Sequence, residues 1–286
     1  MDSKTYWRIA PEDVKQGKEL GRGSYGIVRA AEWRHTPVAV KILYQDAQAE
    51  DRELFEREIK IMATLHHPNI VQFFGYTRSP ELTLVIEYFA EGSIENYVIK
   101  DKPGPKMSLS FCMDMGLAIE YLHSRMPTIV IHRDIKPANF LLTNSHRVKL
   151  GDFGIARARR TTTTSPTSLP GNDSTVSLES MTEFVADAAA ATIKVGDAPQ
   201  TSASGEELTS NCGTVRYMAP EVASTDGTKT QKYSSKADIF SLAMVFYFVW
   251  ERVLPGIEYH RTPATHLSAL LAGRRPAFHR LTRQPS

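Results

Sequence analysis

Two charged side chains stand on faces that ought to be apolar, and together they restrict the fold more than any other feature of the chain. Val38, Val40 and Ile42 alternate on one face of a strand-like run, which puts Ala39 and Lys41 together on the other. Residues 50–65 carry Leu54, Ile61, Met62 and Leu65 at helical spacing, with Glu58 set among them, four residues from both Leu54 and Met62. A strand lysine is most often a solvated edge charge. Here its neighbours Val38, Ala39, Val40 and Ile42 are all apolar, so the ammonium needs an anion, and Glu58 needs a cation. The spacing predicts that helix and strand pack with the two charges paired, leaving the lysine able to hold a phosphate as well.

The surroundings suit such a unit. The first hundred residues alternate short strand-like runs with this one helix, the pattern of a small mixed sheet. A second amphipathic helix is predicted over 108–125, then an apolar run at 129–131, a polar turn, and short strands at 140–142 and 148–150. Residues 158–211 change character: Thr161 to Thr164 and Ala188 to Ala191 are homopolymers, and Ser, Thr, Gly and Pro dominate between them. This is the composition of a disordered insert, well beyond the ~12–15 residues of an ordinary structureless loop. Beyond it, Ser235 with Asp238 predicts a capped start for a helix that is apolar on nearly every side up to Trp250.

Composition removes several classes of function. Of 286 residues 42% are hydrophobic and 23% charged, which excludes disorder throughout, collagen and a coiled coil. Thirty-four Lys and Arg against 32 Asp and Glu leave no charge excess to argue for nucleic acid or an anionic membrane. Cys112 and Cys212 make neither a disulfide framework nor a zinc pair, and fit a reducing cytoplasm. The amino terminus has no apolar signal core, and the longest apolar run, 239–250, is too short for the ~20 residues of a membrane span. The expectation is a cytoplasmic protein with no membrane insertion.

Three strings carry chemistry. Gly21-Arg22-Gly23-Ser24-Tyr25-Gly26-Ile27-Val28 lets backbone approach phosphate oxygens, although alone it fits a ligand-free hairpin equally well. The next element, 28–33, is strand-like where a dinucleotide-binding unit requires a helix, so a glycine hairpin covering a nucleotide fits better. His132-Arg133-Asp134-Ile135-Lys136-Pro137-Ala138-Asn139 concentrates a carboxylate able to accept a hydroxyl proton, an ammonium for phosphate charge and an amide oxygen for a metal. Asp152-Phe153-Gly154 follows a strand and adds a second carboxylate, a hard ligand suited to magnesium.

Val38-Ala39-Val40-Lys41 with Glu58, and the strings at 132–139 and 152–154, resemble the strand lysine, helix glutamate, catalytic loop and metal-binding motif of protein kinases. The resemblance covers residues 14 to about 276. It implies a two-lobed α+β fold: an antiparallel β-sheet lobe with one helix at about 14–87, a hinge at 87–92, and a mostly helical lobe over 93–286. It further implies that Asp134 is the catalytic base, that Lys136 stabilises the transferring phosphoryl group, and that Lys41 and Glu58 form the phosphate-holding pair. Asn139 and Asp152 would bind Mg2+. Gly21, Gly23, Ser24, Tyr25 and Gly26 would cover ATP, with Val28, Ala39 and Leu141 enclosing adenine. Leu84-Val85-Ile86-Glu87-Tyr88-Phe89 resembles a hinge with Ile86 as gatekeeper, Glu87, Tyr88 and Phe89 offering backbone groups to the base. Without that context the piece reads as a buried strand and turn.

By the same resemblance Met62, Phe73, His132 and Phe153 form a regulatory stack and Asp238 fixes the catalytic-loop backbone. Arg133 would meet a phosphorylated activation segment ending in Gly213-Thr214-Val215-Arg216-Tyr217-Met218-Ala219-Pro220-Glu221. Lys136 together with Thr214 is the serine/threonine pattern. Trp33, Pro37 to Lys41 and His67-Pro68-Asn69-Ile70-Val71 are similar to the tyrosine-kinase-like group, the neighbourhood of Raf and mixed-lineage kinases. Expected partners are protein substrates with Ser or Thr acceptors and an upstream activating kinase. Two departures stand out. The insert lengthens the activation segment, and the chain stops at Ser286 where kinases normally add helices and an arginine for Glu221. An incomplete larger lobe predicts low stability and keeps open an inactive, pseudokinase-like scaffold; a small-molecule phosphotransferase is a third reading.

Overall fold

Period-two alternation builds one five-stranded sheet. β1 (Val14–Arg22), β2 (Gly26–Trp33) and β3 (Thr36–Leu43) are consecutive hairpins, and β4 (Phe73–Thr77) with β5 (Thr83–Glu87) completes the order β1-β2-β3-β5-β4. Every ladder is antiparallel, so the sheet is not mixed. Short connections dictate this in the β1–β2, β2–β3 and β4–β5 hairpins, since a parallel pair needs a crossover of a dozen residues or more, whereas β3 and β5 are joined through α1 and β4. The computed structural model of the chain describes residues 7–23, 25–160, 215–223, 234–256 and 263–277.

The pleat sorts the β3 side chains as their alternation predicts. Val38, Val40 and Ile42 are buried with Ile9 and Val85 in a small cluster on one face. The register sets Lys41 opposite Val28 on β2 and Ala39 opposite Ile86 on β5, so these four residues share the other face. α1 (Ala49–Met62) packs there, burying Phe55, Ile59, Ile61 and Met62 together with Glu58. It ends earlier than its spacing suggests: Ala63 is the C-cap, Leu65 is buried beyond it, and Leu54 is only half-buried.

The described residues beyond β5 are built around helices. α2 (Ile94–Asp101) starts at Ser93, whose side chain accepts from the Asn96 N–H, and α3 (Pro105–Ser124) starts on a proline that fixes φ for the first turn. After α3 come β6 (Thr128–Ile131), the β7 (Phe140–Leu142) and β8 (Val148–Leu150) hairpin, and β9 (Arg157–Arg160). α4 (Pro220–Ala223), α5 (Ser235–Glu251) and α6 (Pro263–Leu271) follow. α5 buries Leu242, Val245, Tyr247, Phe248 and Val249, each worth ~1.5–3 kcal/mol when fully covered, and it packs on α3 at the centre of this lobe. Among the described residues no helix is long and apolar enough to cross a membrane.

Two boundaries differ from expectation. Residues 158–160 belong to ordered β9, paired with β6 through Thr128↔Arg160 and Val130↔Ala158, because a backbone ladder makes no demand for apolar side chains. The remainder of the expected insert lies outside the described residues. At α5 the N-cap is Ser234, not Ser235, with no side-chain cap hydrogen bond. Asp238 does not close a capping box because its carboxylate is turned to the loop at 132–133, where it accepts two backbone N–H groups.

Candidate functional site

Lys41 links the two lobes. Its Nζ donates to both Glu58 oxygens, at 2.9 and 2.8 Å, and to Asp152 Oδ1 at 3.0 Å, across 17 and 111 residues of chain. Burial alone would lower the lysine pKa, but Glu58 and then Asp152 outweigh it and hold the ammonium charged well above the usual lysine range. The same ammonium is the main reason that the Asp152 carboxyl sits at about 2, against a smaller opposing effect of desolvation. Glu58 is 2% exposed, so the charge that looked misplaced on the helix is indeed buried and paired.

Across the cleft, the loop between β6 and β7 brings Asp134, Lys136 and Asn139 together. Lys136 Nζ is 2.8 Å from Asp134 Oδ2, and Asn139 Nδ2 donates to the Asp134 carbonyl at 2.7 Å and to Oδ2 at 3.0 Å. The Gly151 N–H donates to the Asn139 carbonyl, tying this loop to the strand end that delivers Asp152. Arg133 and Asp152 both hold left-handed backbone, φ 74° and 54°. Such a residue costs ~1–3 kcal/mol. At Arg133 the cost is offset by Asp238, which accepts the His132 and Arg133 N–H groups at 2.9 Å each, bonds worth ~1.5–3 kcal/mol apiece when one partner is ionised. His123 Nε2 lies 2.9 Å from the same carboxylate.

Met62, Phe73, His132 and Phe153 are all buried, the last two edge to face at 4.9 Å between ring centres. In the glycine hairpin the bare positions differ. A methyl on Gly21 would meet nothing within 4 Å, and one on Gly23 only the Gly26 carbonyl at 3.8 Å, so that side is open to a ligand. A methyl on Gly26 would lie 2.5 Å from the Ile42 carbonyl. Gly26, expected among the nucleotide contacts, is therefore bare because β3 approaches it. Ser24 lies outside the described residues. In the 87–92 stretch the Glu87 N–H is already given to the Gln72 carbonyl, and its carboxylate turns to Lys149 on β8, with Nζ at 2.9 and 2.8 Å. The expectation that the Glu87 backbone serves the base therefore rests on its carbonyl; Tyr88 and Phe89 follow it, and Gly92 closes the turn onto the Phe89 carbonyl.

The model of the protein kinase domain matches residues 14–268 of the chain. The chain belongs to the protein kinase family. It is 34% identical over 289 aligned positions to serine/threonine-protein kinase VIK of Arabidopsis thaliana, taking in 97% of this chain and 55% of that relative. To serine/threonine-protein kinase CTR1 of the same plant it is 41% identical over 165 positions, 56% of this chain and 20% of the relative. The kinase thus spans about half the length of the first and a fifth of the second.

Asp152 and Asn139 could hold a hard cation that brings its own phosphate and water ligands. Among the described residues no group of three or more His, Cys, Asp or Glu could hold a metal ion by itself. Asp152 and Asn139, joined through the Gly151–Asn139 hydrogen bond, offer only oxygen, as magnesium requires and zinc does not. Sequence reasoning missed the Lys149–Glu87 pair, although Lys149 between Val148 and Leu150 repeats the pattern that exposed Lys41. It also missed Arg57, whose guanidinium, like that of Arg133, acts on Arg157. Burial, then the two neighbouring guanidinium groups, push Arg157 down to about 10.

Proposed function

We propose that this kinase transfers the γ-phosphoryl group of ATP to Ser or Thr hydroxyls of proteins, and that it lies in the tyrosine-kinase-like group. The observation that carries the reading is the convergence of Lys41, Glu58 and Asp152 on one side with Asp134, Lys136 and Asn139 on the other. In the reaction the acceptor hydroxyl oxygen forms a bond to the γ-phosphorus as the bond to the β–γ bridging oxygen breaks and ADP departs. The hydroxyl proton passes to the Asp134 carboxylate, which the Lys136 ammonium and the Asn139 amide hold in place. Lys136 also stabilises charge on the moving phosphoryl group, and Lys41, oriented by Glu58, holds the phosphates of the nucleotide. Asn139 and Asp152 would hold magnesium, which when bound neutralises phosphate charge. Val28, Ala39, Ile86 and Leu141 supply the apolar walls for adenine, and the backbone of Glu87, through its carbonyl, Tyr88 and Phe89 the polar ones.

Lys136, two residues after Asp134, supports Ser/Thr acceptors; its companion Thr214 lies outside the described residues. Charge balance and cysteine usage support a cytoplasmic location and protein, not nucleic acid, as partner. The repulsion that Arg57 and Arg133 exert on Arg157 supports control by an upstream kinase, since a phosphate brought beside Arg157 by the activation segment would relieve it. No observation among the described residues favours the binding-only alternative.

Transfer of label from [γ-32P]ATP to generic protein substrates tests the reading. Wild type is expected to label them, and Asp134→Ala and Lys41→Met are not. Equal labelling by all three overturns it.

A further inference from the structure

Tyr25 sits at the tip of the β1–β2 hairpin, yet its side chain does not project into solvent. The ring centre is 5.3 Å from Lys41 Nζ. A methyl built on Gly154 would fall 1.9 Å from the Tyr25 hydroxyl oxygen, 3.2 Å from Cζ and 3.4 Å from Asp152 Oδ1, so phenol and metal-binding carboxylate crowd the same point. The ring also packs against the central apolar cluster that contains Phe153. Burial, opposed by Lys41 and reinforced by Glu58, Asp152 and Asp134, pushes the phenol up to about 12, which puts it among all the charged groups of the cleft. Main chain holds the hairpin in this pose: the Tyr44 N–H donates to the Tyr25 carbonyl and the Gly23 N–H to the Gly26 carbonyl.

Lys41 and Asp152 are the groups assigned above to the phosphates and the metal, and the phenol fills the space between them and Gly154. The ring and a polyphosphate cannot share that space. We propose that Tyr25 is a specificity-determining residue that occupies the phosphate subsite in the free kinase and must swing out before a nucleotide, as opposed to a nucleoside, can be seated. This rests on the nucleotide-site reading given above and adds to it the control of entry.

The physical basis is the reduction of apparent affinity by the fraction of molecules that are competent to bind. If the ring is out in about one molecule in ten, a phosphate-bearing ligand loses about tenfold in affinity. Adenosine, which has no phosphates, never meets the ring and loses nothing. An incoming polyphosphate replaces the aromatic face beside Lys41 with anionic oxygens, so the exchange is favourable once the ligand is present.

Calorimetric titration of the full chain with Mg-ADP and, separately, with adenosine tests this. Tyr25→Ala and Tyr25→Ser are expected to tighten Mg-ADP about fivefold or more while adenosine stays within about twofold of wild type. Tyr25→Phe keeps the ring and is expected to retain both wild-type affinities. The proposal is overturned if truncation leaves the ratio of the two affinities unchanged or weakens Mg-ADP. Failure of wild type and all variants to bind either ligand overturns the nucleotide reading itself, a different result from an unchanged ratio. Thermal melts of each variant separate a lost fold from a lost effect.

Discussion

The two lobes each bury a carboxylate against a cation, and the two pairs are built for different ends. In the sheet lobe Glu58 faces Lys41, which has a second anion in Asp152 and an aromatic face in Tyr25. In the helical lobe Asp114 on α3 takes Arg147 through two nitrogens, at 2.9 and 2.6 Å, and the Val148 N–H at 2.9 Å. The Asp114 carboxylate is satisfied by Arg147 and the Val148 N–H, with Asn69 a further hydrogen-bond partner, and locks the β7–β8 hairpin to α3. Lys41 is shared between lobes across a cleft, and under the proposed function it takes phosphate as well while Glu58 orients it. A closed pair stabilises; a shared one can do chemistry.

The sharpest way to break this contrast is to remove each cation or carboxylate in turn. Lys41→Met is expected to lower phosphoryl transfer at least about a hundredfold in a radiolabel assay, on the scale of losing one preorganised charge partner of a transition state. Asp134→Ala is expected to cost about 10²–10⁴-fold in kcat while the thermal midpoint holds. Asp114→Ala should do the reverse. It leaves the Val148 N–H and Arg147 without their acceptor and is expected to cost roughly 2–3 kcal/mol in denaturant unfolding, with activity per folded molecule unchanged. A Lys41-like collapse of activity in Asp114→Ala, with stability intact, would erase the distinction.

Acid titration refines the comparison. Asp152 is held at about 2, below the ~3.9 of a free aspartate, so its contribution to stability is full above about pH 4 and is lost as pH falls toward 2. The stability difference between wild type and Lys41→Met, followed by tryptophan fluorescence, should therefore narrow as pH falls through that window. The smallest effect belongs to the surface: Glu32→Ala breaks a 3.6 Å contact with Lys15, both side chains well exposed, and should change stability by no more than about 0.5 kcal/mol.

Much of the site was legible before any coordinates because its chemistry is written in charges that local periodicity forbids. Lys41 on an apolar strand face and Glu58 on an apolar helix face each announced a missing partner, and the pairing at 2.8 Å answers both. Asp134, Lys136 and Asn139 were legible because six residues of chain suffice to bring them together. The boundary at 158–160 was misread because strand β9 is held by backbone pairing with β6, which composition does not record. Local spacing gave Asp238 as a cap, and only the family resemblance gave its grip on the loop, because that loop lies 105 and 106 residues away.

The sequence by itself determined which residues are candidates for the reaction, since periodicity and short motifs act over a few residues and are set by covalent geometry. Only the tertiary structure decided which of them are shared and which are occupied. Gly26 is bare for the sake of β3, within its own hairpin, whereas Lys41 reaches Asp152 across 111 residues, the Glu87 carboxylate turns to Lys149, and Tyr25 folds beneath its own hairpin toward Gly154. The last three outcomes depend on how two lobes close on each other, and the free energy of that closure is a sum over contacts distant in the chain that no local pattern contains.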